Sequence, residues 1–144
     1  MTFIADITEL RLVGVFDRGV PFKERVVIQV LQTVDLGLFS VLAGMRTAET
    51  GDLVVPMRDH VFWFGSALVN LNDWLFLYTG HGEPAVFPDA QTGGQLYTCY
   101  WNRSQTIFHD PQVVPTVVRF GGILVERRPE PAAQPPGSYL PRRK

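Results

Sequence analysis

Glu24-Arg25-Val26-Val27-Ile28-Gln29-Val30-Leu31-Gln32 is the stretch that decides the fold. In an extended chain successive side chains point to opposite faces, so Val26, Ile28 and Val30 share one side while Val27, Gln29 and Leu31 share the other. Apolar residues on both sides suit a strand in the middle of a sheet. No stretch shows sustained helical periodicity. Working outward, further runs rich in Val, Ile, Phe, Tyr and Trp read as strands over residues 7–16, 37–42, 61–64, 74–78, 95–101, 116–120 and 123–126. They recur at intervals of about ten residues, the all-β pattern.

The breaks between them carry residues that fix turns or tolerate positive φ. These are Val20-Pro21, Thr79-Gly80-His81-Gly82, Thr92-Gly93-Gly94, Asp110-Pro111 and Gly121-Gly122. Residues 44–59, with glycine, proline and several charges, read as a surface loop and a place to look for recognition. Together the runs and breaks predict an immunoglobulin-like β-sandwich of seven to eight strands over residues 1–126, followed by a proline-rich basic tail over 127–144.

Composition supports a well-filled core. Among 144 residues, 46 % are hydrophobic and 12 % aromatic, including ten Phe and three Trp. That is too rich for a disordered chain and is enough for one domain. A single cysteine, Cys99, excludes an internal disulfide and a cysteine-based zinc site. It lies in the apolar run Leu96-Tyr97-Thr98-Cys99-Tyr100-Trp101, which predicts a buried, inert thiol. The opening Met1-Thr2-Phe3-Ile4-Ala5-Asp6 lacks the apolar run of a signal peptide, and no segment has 18 uninterrupted apolar residues. The expectation is a cytoplasmic or intracellular protein with no membrane partner.

Charge is unevenly distributed. Residues 127–144 hold five Lys/Arg and one Glu, a balance of +4, while residues 1–126 hold eight Lys/Arg and thirteen Asp/Glu, a balance of −5. The tail carries five of the eleven prolines, so it cannot propagate a helix or a sheet ladder. Tyr139-Leu140-Pro141-Arg142-Arg143-Lys144 reads either as a solubilising terminus or as an arm that packs on a neighbouring subunit. Nucleic acid would want a basic face with interleaved aromatics, so only the tail could contact phosphate.

A search for catalytic chemistry finds little. The histidines His60, His81 and His109 have no nucleophile motif beside them, Gly-rich phosphate loops are missing, and no cofactor is implied. Asp35, Asp73, Asp89 and Asp110 each stand beside turn residues, where aspartate caps a backbone turn more often than it moves a proton. The alternative to a non-enzymatic reading is a small enzyme or a ligand- or metal-binding protein whose site would gather His81, Glu83, Asp89 and His109 near one end of the sandwich.

Four segments in order resemble the bacterial lamin-tail domain: Glu24 to Val30, Val34-Asp35-Leu36-Gly37, Val61-Phe62-Trp63-Phe64, and Leu71-Asn72-Asp73-Trp74-Leu75-Phe76-Leu77-Tyr78-Thr79-Gly80. Residues 96–110 are similar to a later stretch of that family. The turn lacks the family's usual Ser and Trp, and Asp73 replaces a glycine. The resemblance covers roughly residues 7–126 and implies an immunoglobulin-like sandwich serving as an interaction or structural module.

The aromatic residues carry the remaining inference. Trp63, Phe64, Trp74, Phe76, Tyr78, Tyr100 and Trp101 fall on expected strands, most of them expected in a core about 10 Å thick. Phe62, Trp63 and Phe64 are consecutive, so at least one must leave the interior. These features predict a structural or protein-binding module that self-associates, as in a scaffold or particle shell. Its contact residues would be Phe62, Trp63, Phe64, Tyr139, Leu140, Arg142 and Arg143, and its principal partner itself.

Overall fold

The computed structural model describes residues 6–46 and 54–128. Among them the chain is nearly all-β. Its strands are β1 (Leu10–Phe16), β2 (Arg25–Val30), β3 (Val34–Asp35), β4 (Phe39–Met45), β5 (Val55–Trp63), β6 (Leu68–Val69), β7 (Trp74–Tyr78), β8 (Ala85–Pro88), β9 (Gln95–Tyr100) and β10 (Val113–Arg119), with one 3-10 turn at Leu36–Leu38. No helix among the described residues is long and apolar enough to cross a membrane.

Two open sheets form the body. One has five strands in the order β1-β2-β7-β9-β8, the other three in the order β10-β4-β5, and β3 pairs separately with β6. The two-sided apolar stretch takes the place its pattern demands: β2 lies between β1 and β7, antiparallel to both. Val26, Ile28 and Val30 are fully buried on its inner side, and Val27 is only 3 % exposed on its outer side. Alternation repeats on the neighbours. Leu75 and Leu77 of β7 turn inward with Tyr97 and Cys99 of β9 opposite them in register, and Phe39, Val41 and Ala43 of β4 face them from the other sheet. All belong to one cluster, a core between two layers as in a β-sandwich. Trp101, Ile107 and Phe108, from the segment after β9, close it at one end.

Three irregularities shape the sheets, one of them a register shift between Leu42 and Gly44 where β4 pairs with β5. Register slips between Leu12 and Gly14 of β1, where Gly14 takes φ +147°, a bulge for which glycine has no steric penalty. The β7–β9 pair is parallel although the rest of its sheet is antiparallel. The chain leaves β7, runs to the sheet edge as β8, and returns as β9 into the space between.

Several boundaries differ from the sequence expectation. Residues 44–59 are not one loop: β4 runs to Met45 and β5 starts at Val55, paired in register Met45↔Val55 and Gly44↔Pro56. Charged and proline residues tolerated on an edge strand had masked β5, and only 46–54 connect the two strands. Of that connection, 47–53 lie outside the described residues. Residues 123–126 are not a strand; Ile123, Leu124 and Val125 are exposed and join neither sheet. β8, preceded by Pro84 and ending on Pro88, carries no strand signal in its sequence, and the two-residue strands β3 and β6 are too short to show alternation. Residues 129–144, which hold most of the expected tail, lie outside the described residues.

Candidate binding surface

Buried carboxylates brace the loops at the ends of the sheets. Glu24, 1 % exposed, accepts the Gly19 N–H at 2.7 Å, the Thr79 hydroxyl at 2.9 Å, the Ile107 N–H at 2.7 Å and the Phe108 N–H at 3.1 Å. One side chain thus ties together the start of β2, the end of β7 and the segment that closes the core. Asp73, also buried, accepts from the Asn70 N–H at 2.8 Å and the Gln95 N–H at 2.8 Å. Asp35 accepts from the backbone N–H groups of Gly37 and Ala67, at 2.9 and 3.0 Å, and from the Ser66 hydroxyl. Hydrogen bonds to its charged form, led by that from Gly37, hold the Asp35 carboxyl below its ordinary value of 3.8. Asp89 and Asp110 likewise accept from N–H groups two residues on, at Gln91 and Gln112.

The residues of the alternative site do not converge. His81 lines a hollow of about 480 Å³ beside Phe22 and Arg103, His109 a smaller one of about 230 Å³ beside His60, and Asp89 a third on the outer face of the five-stranded sheet. Glu83 is exposed and lines none of these. Among the described residues no group of three or more His, Cys, Asp or Glu could hold a metal ion. Arg103 stands between the first two hollows, its guanidinium 3.1 Å from His60 Nε2 and donating to the Asp59 carbonyl at 3.1 Å. Burial, and secondarily this cation, lowers the pKa of His60 from 6.5. Cys99 packs against the core, and burial pushes its thiol up to about 11.

The aromatic residues divide differently from the expectation that most fill the core. Phe62, Phe64 and Trp101 pack at the core, Phe62 meeting Phe64 edge-on at 5.3 Å and Trp101 at 6.0 Å between ring centres. Trp63 is the member of its triplet that leaves the interior: it is 56 % exposed, and its indole N–H donates to the Gly37 carbonyl at 3.0 Å. Trp74, Phe76 and Tyr78 alternate with the buried Leu75 and Leu77 and therefore all lie on the outer face of the five-stranded sheet. Tyr100 joins them, in register with Tyr78 and stacked on it at 5.2 Å. The parity of β7 was readable; which parity faces the second sheet was not.

Arg25 organises the middle of this outer face. Its guanidinium lies 5.5 Å from the ring centre of Phe16, 5.4 Å from Phe76 and 5.8 Å from Tyr78, cation–π distances to three rings. It pairs with Asp17 at 2.8 Å, which neutralises it locally. Beside it a hollow of about 420 Å³ opens, walled by Phe16 and Trp74, floored by Val27, Phe76 and Leu96, and bounded at one end by Asp89, Gln91 and Thr92 from the β8–β9 turn. That turn is fixed by Asp89, which accepts the Thr92 hydroxyl at 2.8 Å. The result is an aromatic trough with a carboxylate at its rim.

No family model, curated protein or solved structure matches the chain. Fold and surface together define an all-β, sandwich-like domain with an aromatic outer face.

Proposed function

We propose that this chain is a non-enzymatic structural or protein-binding module that associates with copies of itself, built on an immunoglobulin-like sandwich of the kind lamin-tail domains have. The carrying observation is the position of Trp74, Phe76, Tyr78 and Tyr100 on the outer face of a sheet whose inner face already has its core. A half-buried aromatic row of that extent, with Phe87 50 % exposed at the sheet edge, gains free energy when another protein surface covers it. Trp63 and Val61, each more than half exposed, add apolar surface on the three-stranded sheet. In this reading the contact set comprises Trp74, Phe76, Tyr78 and Tyr100, with Trp63 and the tail residues Tyr139, Leu140, Arg142 and Arg143. Phe62 and Phe64 support Trp63 from the core side.

Light scattering on the full chain, from micromolar to near-millimolar concentration, tests the reading. The expected result is a mass that climbs above the 16.2 kDa of one chain. A strictly monomeric species across that range contradicts it.

A further inference from the structure

The trough on the five-stranded sheet and the proline-rich tail are complementary in shape preference and in charge, and both belong to one sequence. We propose that Tyr139–Lys144 of one copy docks in the trough of a second copy, laying Tyr139, Leu140 and Pro141 against Trp74 and Phe76. The inference rests on the self-association reading and names the contact that would produce it.

Three observations carry it. Proline-rich segments favour the polyproline II conformer, lose little entropy on binding, and are recognised by grooves lined with aromatic rings. The tail has five prolines with one apolar cluster, Tyr139-Leu140-Pro141, and the trough has Phe16, Trp74 and Phe76 along its walls and floor. Charge agrees: Arg142, Arg143 and Lys144 follow the apolar cluster, and the trough ends at the Asp89 carboxylate. The cation already in the trough, Arg25, is held by Asp17 and does not leave an unbalanced positive charge to repel the arm. Reach is sufficient, because residues 129–144 in an extended polyproline form span about 50 Å, more than the width of a small domain.

The test uses full-length chains. Tyr139→Ala with Leu140→Ala removes the arm's anchor, and Trp74→Ala removes a wall of the trough; circular dichroism checks that each is folded. Should Trp74→Ala not fold, Gln91→Lys takes its place: the side chain is exposed, its backbone N–H alone caps the turn, and the new cation opposes Arg142. Each variant alone should self-associate roughly tenfold or more weakly than the natural chain. Mixing the arm variant with the trough variant should restore a heterodimer, since one supplies an intact trough and the other an intact arm. If the natural chain associates and the arm variant does so equally, the docking is refuted while the self-association reading stands. An arm variant that weakens association without recovery on mixing also refutes the trough as the arm's site. A natural chain that stays monomeric refutes both.

Discussion

The Glu24 carboxylate accepts the Thr79 hydroxyl at 2.9 Å, joining residues 55 positions apart at a point where both side chains are buried. The same carboxylate also receives the Gly19, Ile107 and Phe108 N–H groups, so its removal strands several buried donors at once. Each buried donor left without an acceptor costs about 1–3 kcal/mol. Glu24→Ala should therefore destabilise the domain by at least about 3 kcal/mol, and Glu24→Gln, which retains one acceptor oxygen, by less. Urea denaturation checks this; equal stability of Glu24→Ala and the natural chain would deny Glu24 its bracing role.

Asp35 predicts behaviour in acid. Its pKa in the folded state is lowered by hydrogen bonds from Gly37, Ala67 and Ser66, so the stability it contributes is fully present above the unfolded value near 3.8. That contribution is lost as pH falls from there through the lower folded value. Denaturation midpoints measured from neutral pH to pH 2 should drop in this window, and Asp35→Asn should flatten that part of the profile.

His60 acts at a higher window. The folded protein holds the imidazole neutral below its ordinary 6.5 because of burial and Arg103, whereas the unfolded chain takes up the proton near 6.5. The unfolded state then binds more protons, and stability declines as pH falls through 6.5 toward the folded pKa. His60→Gln should remove this decline. A natural chain equally stable at pH 7.5 and 5.5 would contradict the assignment.

Cys99 should react slowly. A thiol whose pKa rises from 9.0 to about 11 has roughly 100-fold less thiolate at neutral pH than an unshifted one. Ellman's reagent at pH 7.5 should modify the folded chain at least that much more slowly than the chain in denaturant. Comparable rates would place the thiol in solvent.

Gly94 has no room for a side chain. A Cβ there would overlap the Asn72 carbonyl and stand 2.9 Å from Asp73 Oδ1, backbone and a braced carboxylate that cannot swing away. Gly94→Ala should cost about 1–3 kcal/mol by thermal or chemical denaturation. The same change at Gly121, with nothing within 4 Å, should be close to neutral.

Much of the fold was legible where local pattern and tertiary role agree. Val26 to Val30 announced a two-sided central strand, β7 has the boundaries its sequence suggests, and four of the five glycine- or proline-bearing breaks fall between strands, Gly121-Gly122 instead following the last described one. Ile123-Leu124-Val125 misled because β propensity does not provide a neighbour, and this segment finds none in its own sheets. The parallel placement of β9 beside β7 left no local mark, since side-chain alternation is the same in either direction. The surface was the least legible part. Phe16, Arg25, Phe76 and Tyr78 meet only because Phe16↔Arg25 and Arg25↔Tyr78 are in register across three strands. The acidic and histidine residues grouped at sequence level stayed apart because His81, Asp89 and His109 leave the sheets through different loops.

The return of β8 and β9 to the far side of β7 has a mechanical consequence. The β8–β9 hairpin attaches to the body as a flap along the β7 edge, and its tip supplies Asp89, Gln91 and Thr92 to the trough. Peeling that flap away would take Asp89, Gln91, Thr92 and Leu96 from the trough and uncover the core where Tyr97 and Cys99 pack against it. Within the tip, Gln91 is exposed and only its backbone N–H caps the turn, so a change of its side chain alters the end of the trough while leaving the paired strands untouched.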